Sequence, residues 1–573
     1  MTDRSGTKDD NMSEPDQTWA REVLNSLRED LNASVRAIRT KGPSQVQFWV
    51  IALLIGVTCG FVAMGFRLGI EWLQALIYQT PNVARLHRSA ALLDWYWILA
   101  IPAVGGLVVG VILHKFTPDG RVRAVADVIE AAALREGRVE RREGIASAVA
   151  SFLTLSMGGS SGREGPVVHL SAVVSSAISR WIKADAVTSR DLLGCAVAAG
   201  VSASFNAPIA GAIFALEVVL RHFAVRAFAP IAIASVSGTV VSRLIHGDLA
   251  EYTLPSTTAF RFYVELPAFM LLGVFCGIVA YALMRSIFWA DTLGNDIQRK
   301  TGMPRYLRPA VAGLLLGAIA LEFPHIIGVG YGITSDALAG RLVFTQAVIF
   351  SVVKLVAVAI TMGGRMGGGV FSPALGIGAM AGLAFGIVAT GIFPDHSGSA
   401  TLYALAGMGA VAAAVLGAPI STTLIVFELT GDWQTGLAVM VAVSLSTAIT
   451  SRLVDHSFFL TQLERRGVHV AAGPHAYLLA TVRVSSVLRA LSTPPAPTDD
   501  QIDALIKQGV YIDINATLDQ AMPLFDRTGQ PFIPVVRPGM NGAPPEVRGA
   551  LFHVDALRAL NRAMAAVSAE EHA

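Results

Sequence analysis

The sequence predicts an all-α protein that crosses a membrane many times and carries a small α/β domain at its C-terminal end. Three observations predict this class. Of the 573 residues, 53% are hydrophobic and only 15% are charged, whereas soluble domains carry about 25% charged residues. Apolar segments recur from Phe48 to about Val454, several of them near the roughly 20 residues that a spanning helix needs. After Phe459 the proportion of charged residues rises again.

Residues 1–44 are predicted to form a cytoplasmic leader. They are polar and rich in charge, and they contain no apolar stretch of the kind that a cleavable secretory signal requires. Arg36, Arg39 and Lys41 lie just before the first apolar run, and positive charge beside a membrane helix stays on the cytoplasmic side. We therefore expect a retained first membrane helix and cytoplasmic termini, as suits a bacterial inner membrane.

Residues 45–456 are predicted to form the membrane domain. Three apolar segments fit regular spanning helices: Phe48 to Phe66, Trp97 to Leu113 and Leu266 to Met284. Four others look too short or too broken to cross as one regular helix: Pro166 to Ile182, Pro208 to Leu220, Val370 to Ile392 and Pro419 to Leu429. Broken helices at membrane depth are tolerated where they are packed in protein or line a polar cavity, so they indicate a binding site.

Two apolar segments of similar design predict an internal repeat. NAPI at 206–209 is followed by Glu217, nine positions after its proline, and GAPI at 417–420 is followed by Glu428 at the same distance. Such duplication is typical of transporters whose two halves meet at a central binding site.

A glycine-rich turn lies upstream of each copy, GREGP at 162–166 and GVFSP at 369–373. The repeats then run from about 45 to 250 and from about 260 to 456. Each turn opens a helix, and a helix start offers unpaired N–H groups and a positive dipole end to an anion. Proline in the first helical turn costs no hydrogen bond. Two such helix starts facing each other would form an anion site.

Glu164 lies inside the first glycine turn. Its carboxylate can be held by the donors that would hold a permeating anion. We expect it to plug the site when ionised and to leave it when protonated or displaced. A carboxylate that only stabilises its own helix start is the alternative, and the second glycine turn favours the gate.

The strings GREGP, GGGVFSP and the paired APIxxxxxxxE resemble the CLC family of chloride channels and proton-coupled chloride antiporters. The resemblance covers about residue 45 to the end. It implies about eighteen helices in two inverted halves, a homodimer with one pore per subunit, and a cytoplasmic CBS pair. Position by position, it implies that Glu164 is the gate and that the backbone amides from Arg163 to Gly165 form the outer anion site. It also implies that the amides of Val370 and Phe371 hold the central anion.

Residues 457–573 resemble a reduced CBS pair in the cytoplasm. Thr517 to Val536 is predicted to form a strand, a helix and a strand, followed by Gly549-Ala550-Leu551 and a helical tail. The first copy, near Val482 to Leu488, is abbreviated. Nucleotide binding to this domain is left open, since the shortened first half argues against a complete site.

Two positions depart from the family pattern at the central anion. Arg123 stands where the family has a serine, and it would either suit a bidentate oxyanion or pair with a nearby acid, Asp127 or Glu130. Phe459 stands where the family has a tyrosine. It cannot donate a hydrogen bond, so it forms either an apolar constriction or a packing contact.

A third departure concerns protons. Antiporters of the family carry a glutamate immediately after the position of Glu217, and this chain has Val218 there. Because a valine interrupts a proton relay, we expect channel-like chloride transport gated by Glu164. The alternative is a proton-coupled antiporter, for chloride or for nitrate, bicarbonate or fluoride.

Other classes of function have less support. Gly159 to Gly162 fits the G-x-S-G pattern of rhomboid-type intramembrane proteases, with Ser161 as nucleophile and His169 or His325 as the available base, and a membrane sensor would leave the glycine turns unexplained. We therefore expect a transporter and not an enzyme. Cys59, Cys195 and Cys276 show no metal or disulfide spacing. No basic stripe indicates nucleic acid, and no cofactor is expected.

Overall fold

The computed structural model describes residues 43–80, 86–222, 225–247, 262–395, 397–468, 470, 479, 482–491, 497–537 and 546–572. The predicted leader lies almost wholly outside these residues, and so does the junction between the repeats at 248–261.

Eighteen α-helices lie in the described residues between 45 and 464, which confirms the predicted all-helical membrane fold. In the first half they are α1 (Gln45–Tyr78), α2 (Leu86–Ala90), α3 (Trp95–Phe116), α4 (Val125–Leu134), α5 (Arg141–Ser156), α6 (Glu164–Ile182), α7 (Ala186–Phe205), α8 (Pro208–Phe214) and α9 (Val225–His246). In the second half they are α10 (Phe262–Thr301), α11 (Arg308–Glu322), α12 (Tyr331–Leu338), α13 (Phe344–Gly363), α14 (Phe371–Ile392), α15 (Ala400–Leu416), α16 (Pro419–Thr430), α17 (Trp433–Leu453) and α18 (Phe458–Glu464).

Three short helical segments complete the membrane domain. A π-helix, Ala215–Leu220, continues α8, and 3₁₀ turns at Arg305–Leu307 and Pro324–Ile326 flank α11.

Seven helical segments in the described residues are long and apolar enough to cross a membrane, among them α1, α3 and α10. One expectation is wrong. Val370 to Ile392 was predicted to be broken by its glycines, but α14 is one continuous helix of 22 residues and counts among the seven. Its glycines are tolerated because α15 packs against them: the backbone of Gly407 lies directly on Gly378, as small residues permit between membrane helices.

The C-terminal domain contains a three-stranded sheet in the order β1 (Ile512–Asp513), β2 (Phe532–Arg537) and β3 (Glu546–Phe552). The first two strands are parallel, with Ile512 opposite Val535, and β2 and β3 are antiparallel, with Ile533 opposite Leu551. The helices of the domain are α19 (Asp499–Lys507), α20 (Leu518–Thr528) and α21 (His553–His572). A small sheet with flanking helices fits the CBS-like expectation.

The predicted order of elements around Thr517 needs a correction. Thr517 caps α20 instead of starting a strand, and the strand before this helix lies upstream at Ile512–Asp513. The abbreviated first copy reduces to the 3₁₀ turn Val484–Ser486, tied to the rest of the domain by a bridge between Arg483 and Thr517.

The helix α18 packs with the membrane helices. Phe458 and Phe459 are buried in the same apolar core as α4, α8 and α15. The described chain therefore leaves the membrane domain only after Glu464.

Candidate functional site

The two glycine turns are joined directly by their backbones. The N–H of Gly162 donates to the carbonyl of Gly369 at 2.7 Å, and the N–H of Gly369 donates to the carbonyl of Gly162 at 2.8 Å. A side-chain carbon on Gly369 would lie 3.1 Å from the backbone nitrogen of Gly165, so glycine makes this close approach easy. This pairing brings the first residues of α6 and α14 together.

Glu164, the first residue of α6, is only 1% exposed and lies between the two helix starts. Its Oε1 accepts a hydrogen bond from the hydroxyl of Ser372 at 2.5 Å and another from the hydroxyl of Tyr331 at 3.1 Å. Its Oε2 accepts from the backbone N–H of Ser372 at 3.4 Å. The carboxylate therefore uses donors of the second repeat, from Ser372 at the start of α14 and Tyr331 at the start of α12.

Arg163 supplies a buried positive charge beside Glu164. The residue is 4% exposed, and its Nε lies 3.9 Å from Oε1 of Glu164. Its guanidinium also lies 4.9 Å from the ring centre of Tyr331 and donates to the carbonyl of Ser204 at 3.2 Å. The side chain thus has a fixed position, where its charge would attract a bound anion.

One cavity, here called the arginine cavity, adjoins the start of α14. Its empty space is about 900 Å³, including the open mouth. Its charged lining is Arg121, Asp291, Arg365, Arg465 and Arg466, and its apolar lining near the glycine turns includes Gly165, Val370, Phe371, Phe458 and Phe459. In the described chain, four guanidinium groups face one carboxylate there, which favours anions.

A second cavity, here called the histidine cavity, has about 570 Å³ of empty space including its mouth. Its polar lining includes Arg67, Glu71, His87, Arg163, His325 and Tyr331. Both Arg163 and Tyr331 contact Glu164. The two neighbours of Glu164 in the chain line different cavities: Gly165 lines the arginine cavity and Arg163 the histidine cavity.

Arg123 does not line the arginine cavity. It pairs with Asp119 at 3.1 Å, with Asp127 at 3.4 Å and with Glu143 at 2.8 Å. The sequence left two interpretations of Arg123, a contact with a bound oxyanion or an ion pair with a nearby acid. The geometry shows the ion pair, with Asp127. Glu130, the other acid considered, pairs with Arg135 instead.

Phe459 lines the arginine cavity and is 5% exposed. Its ring meets Phe458 edge to face at 5.8 Å, and Phe458 stacks on Phe288 at 5.2 Å. The lining of the cavity is therefore aromatic and without hydroxyl groups at this point.

The repeated glutamates cap each other's helices. The carboxylate of Glu217 accepts from the backbone N–H groups of Ile420 at 2.9 Å and Ser421 at 2.8 Å, at the start of α16. In turn, Glu428 accepts from the N–H groups of Ile209 at 2.9 Å and Ala210 at 2.8 Å, at the start of α8. Each carboxylate satisfies N–H groups that a helix start leaves unpaired.

Val218 is a buried apolar residue next to Glu217 in the π-helix that continues α8. The hydroxyl of Ser421 also donates to Glu217, at 2.5 Å. The glutamate before Val218 is thus occupied by three hydrogen bonds from the second repeat.

Ser161 has a structural partner. Its hydroxyl donates to the carbonyl of Gly367 at 3.0 Å, whereas the ring of His325 packs on Phe350 and that of His169 lies beside Gly144. Among the described residues no hydrogen bond joins Ser161 to a histidine, and no cluster of metal-binding side chains occurs.

Several functional candidates were missed in the sequence. Ser372 stands in the second glycine motif, but nothing in the motif indicates that its hydroxyl reaches Glu164. Tyr331 follows a glycine-rich stretch at 328–330, which marks a turn without indicating its partner. The arginines of the cavity come from three separate segments of the chain, so only the fold brings them together.

The sequence matches the family described as Voltage gated chloride channel over residues 105–451. A ClcB-like chloride channel protein of Ralstonia nicotianae is 31% identical over 400 residues, which cover 68% of this chain and 91% of that protein. The voltage-gated ClC-type chloride channel ClcB of Escherichia coli is 30% identical over 421 residues, covering 72% of this chain and 97% of the relative.

The fold is also that of a solved relative. A slow cyanobacterial Cl⁻/H⁺ antiporter superimposes with a TM-score of 0.65 at 22% identity, covering 73% of this chain and 97% of that chain. Together with the paired glycine turns, these matches confirm the resemblance seen in the motifs. The chain belongs to the voltage-gated chloride channel family and is a multi-pass membrane protein of anion transport.

Proposed function

We propose that the chain conducts small monovalent anions, chloride first, through a pathway that Glu164 closes. The observation that carries this proposal is the position of the Glu164 carboxylate between the joined starts of α6 and α14. A carboxylate there occupies the donors that an anion would use, so ionised glutamate and anion compete for one place. Protonation or a competing anion releases the carboxylate and opens the path.

The pathway runs between the two cavities. From the arginine cavity an anion meets the backbone of Val370 and Phe371, whose N–H groups begin α14. It then replaces the carboxylate of Glu164 and passes Arg163 into the histidine cavity. The guanidinium groups at one end raise the local concentration of anions and exclude cations.

Channel-like transport is the form that we propose, on the grounds of Val218 and Glu217. A proton relay needs a titratable group that can bind and release protons. Val218 has none, and the carboxylate of Glu217 is held by Ile420 and Ser421. No described carboxylate at this point is left for a relay, so chloride movement without proton movement is expected.

We also propose a homodimer with one pathway per subunit in a bacterial inner membrane, with both termini cytoplasmic. The arginine cavity then faces the cytoplasm, because Arg465 and Arg466 follow α18, from which the chain continues to the C-terminal domain. Arginines on this side agree with the positive-inside rule.

The test is flux from liposomes that contain the purified full chain, under an outward chloride gradient with the internal pH recorded. Wild type should release chloride without moving protons, faster at acidic pH, and Glu164→Ala should release it at a rate independent of pH. The control Glu322→Ala, at the exposed end of α11, should behave as wild type.

Three results would change the proposal. Uphill proton movement that Glu164→Ala abolishes would make the chain an antiporter with another inner proton route. Absence of chloride flux with flux of nitrate, bicarbonate or fluoride would change the substrate. Absence of any anion flux by folded protein would refute the pathway.

A further inference from the structure

The histidine cavity contains a buried histidine that the gate does not use. His325, in the 3₁₀ turn Pro324–Ile326, is 5% exposed and lines this cavity. Its ring lies between Phe323 and Phe350, at 5.8 Å and 4.0 Å between ring centres. Its Nε2 is buried and has no hydrogen-bond partner among the described residues. A buried polar atom without a partner is costly, so a partner from the cavity is expected.

A buried ammonium group lies behind the same turn. Lys354 of α13 is 1% exposed, and its Nζ donates to the carbonyl of Ile326 at 3.1 Å and to that of Gly328 at 3.0 Å. No carboxylate of the described chain is within ion-pair distance of this group. A side-chain carbon on Gly330, which lines the cavity, would lie 3.1 Å from the ammonium.

Burying an unpaired ammonium is expensive unless an opposite charge comes close. Two backbone carbonyls accept its hydrogen bonds, but neither carries the negative charge that would neutralise the ammonium group. An anion at the wall of the cavity between 326 and 330 would therefore stabilise the ammonium form of Lys354, since little water lies between them.

The remaining charges of the cavity favour an anion as well. Arg67 pairs with Glu71 at 2.9 Å, and Arg163 lies beside Glu164. With Lys354 behind the wall, three basic side chains lie at or next to the cavity, against the two carboxylates of Glu71 and Glu164. A neutral His325 with a hydrogen on Nε2 adds a donor. A cation would be repelled here, whereas a small anion would satisfy both Nε2 of His325 and the charge of Lys354.

We propose that the histidine cavity is a docking site for a small monovalent anion, bound by the Nε2–H of His325 above the charge of Lys354. The site is distinct from the anion position at the start of α14. Its role rests on the proposed function, because the docked anion is the one that competes with the carboxylate of Glu164. It keeps an anion next to the gate before the carboxylate moves.

A direct test uses bromide, whose anomalous scattering locates it in crystals of the full chain. In wild type we expect one bromide at the start of α14 and a second in contact with Nε2 of His325. His325→Leu should lose only the second bromide, and His325→Gln, which keeps an N–H donor, should retain it. The profile of each variant on size exclusion shows that it is folded.

The outcomes separate this proposal from the proposed function. Bromide at the start of α14 of wild type with an empty histidine cavity overturns the docking site and leaves the pathway intact. Bromide at neither position in wild type counts against both. A second bromide that persists in His325→Leu also overturns the docking site as proposed.

Current through planar bilayers gives a second measure. The half-saturating chloride concentration on the side of the histidine cavity should rise about tenfold in His325→Leu, because this variant loses one hydrogen bond to the anion. It should stay near the wild-type value in His325→Gln. His114→Leu is the matched control, because His114 is exposed on α3 and lines neither cavity. An unchanged half-saturation in folded His325→Leu would overturn the proposal.

Discussion

Ser372 of the second repeat donates its hydroxyl hydrogen to Glu164 of the first repeat at 2.5 Å. The contact joins the closing carboxylate to the helix whose backbone N–H groups would hold the anion. The hydroxyl of Tyr331 donates to the same oxygen atom, at 3.1 Å. The position of the Glu164 carboxylate is therefore defined by two hydroxyl groups as well as by helix starts.

Removing the hydroxyl of Ser372 should loosen the gate. In Ser372→Ala the carboxylate loses a charged hydrogen bond worth about 1.5–3 kcal/mol, and about 1.4 kcal/mol already changes an equilibrium tenfold. We expect at least a severalfold increase in chloride flux at neutral pH, measured in liposomes. Tyr331→Phe should act in the same direction with a smaller effect, because its bond is longer.

The control for both variants is the Glu164→Ala background, where no carboxylate remains to be held. Neither Ser372→Ala nor Tyr331→Phe should change the flux there by more than a small factor. An equal effect in the two backgrounds would mean that these hydroxyl groups act on the anion itself.

Arg123 should matter for stability and not for selectivity. Arg123→Gln leaves Asp119, Asp127 and Glu143 without this partner, and we expect a loss of about 1–3 kcal/mol, between the values for exposed and buried pairs. Thermal unfolding in detergent measures the loss. The ratio of chloride to nitrate flux should stay as in wild type.

The matched variant is Arg121→Gln, since Arg121 lines the arginine cavity two positions away. It should lower the anion flux at low ionic strength and lose this effect at high salt, as expected for a screened charge. A selectivity change in Arg123→Gln, absent in Arg121→Gln, would restore the oxyanion interpretation of Arg123.

Phe459→Tyr should add a hydroxyl donor to the wall of the arginine cavity. Because a hydrogen bond to a charged partner contributes about 1.5–3 kcal/mol, we expect the half-saturating chloride concentration to fall about tenfold or more. Flux at a series of chloride concentrations measures it, and Phe458→Tyr, in the neighbouring ring, is the comparison. If Phe459 serves packing alone, the half-saturation stays constant and only stability changes.

The two capping glutamates should contribute to stability in proportion to their hydrogen bonds. Glu217→Gln weakens three hydrogen bonds and Glu428→Gln weakens two. We expect both to lower the free energy of unfolding by about 1 kcal/mol per bond, so the unfolding temperature should fall more in Glu217→Gln. Chloride flux per folded protein should be unchanged in both. Loss of proton movement in Glu217→Gln alone would instead identify Glu217 as a proton carrier.

Much of the membrane fold follows from local properties of the sequence. The length of an apolar segment predicts a spanning helix, as it does at Phe48 to Phe66. The observed helix, Gln45–Tyr78, extends beyond both ends of that segment. Glycines in α14 led to the wrong expectation of a break. Local propensity disfavours glycine inside a helix, but close packing against α15 outweighs that preference, and a contact with another helix cannot be read from α14 alone.

The same limit applies to the site. The glycine turns and Glu164 are local motifs, so they could be found in the sequence. The hydroxyl of Tyr331 and the arginines of the cavity come from distant segments whose meeting depends on tertiary structure. For Arg123 the sequence offered a nearby acid and an anion as equal partners, and the deciding neighbours Asp119 and Glu143 became apparent only in the fold.

The reciprocal caps have a consequence for how the chain is made. During synthesis α8 is complete before Glu428 is added. The N–H groups of Ile209 and Ala210 therefore lack at first their hydrogen bonds to this carboxylate, which lies more than two hundred residues further along the chain. The start of α8 in the first repeat therefore gains these two hydrogen bonds only when α16 is in place. We therefore expect two separately expressed halves to associate through these same carboxylates.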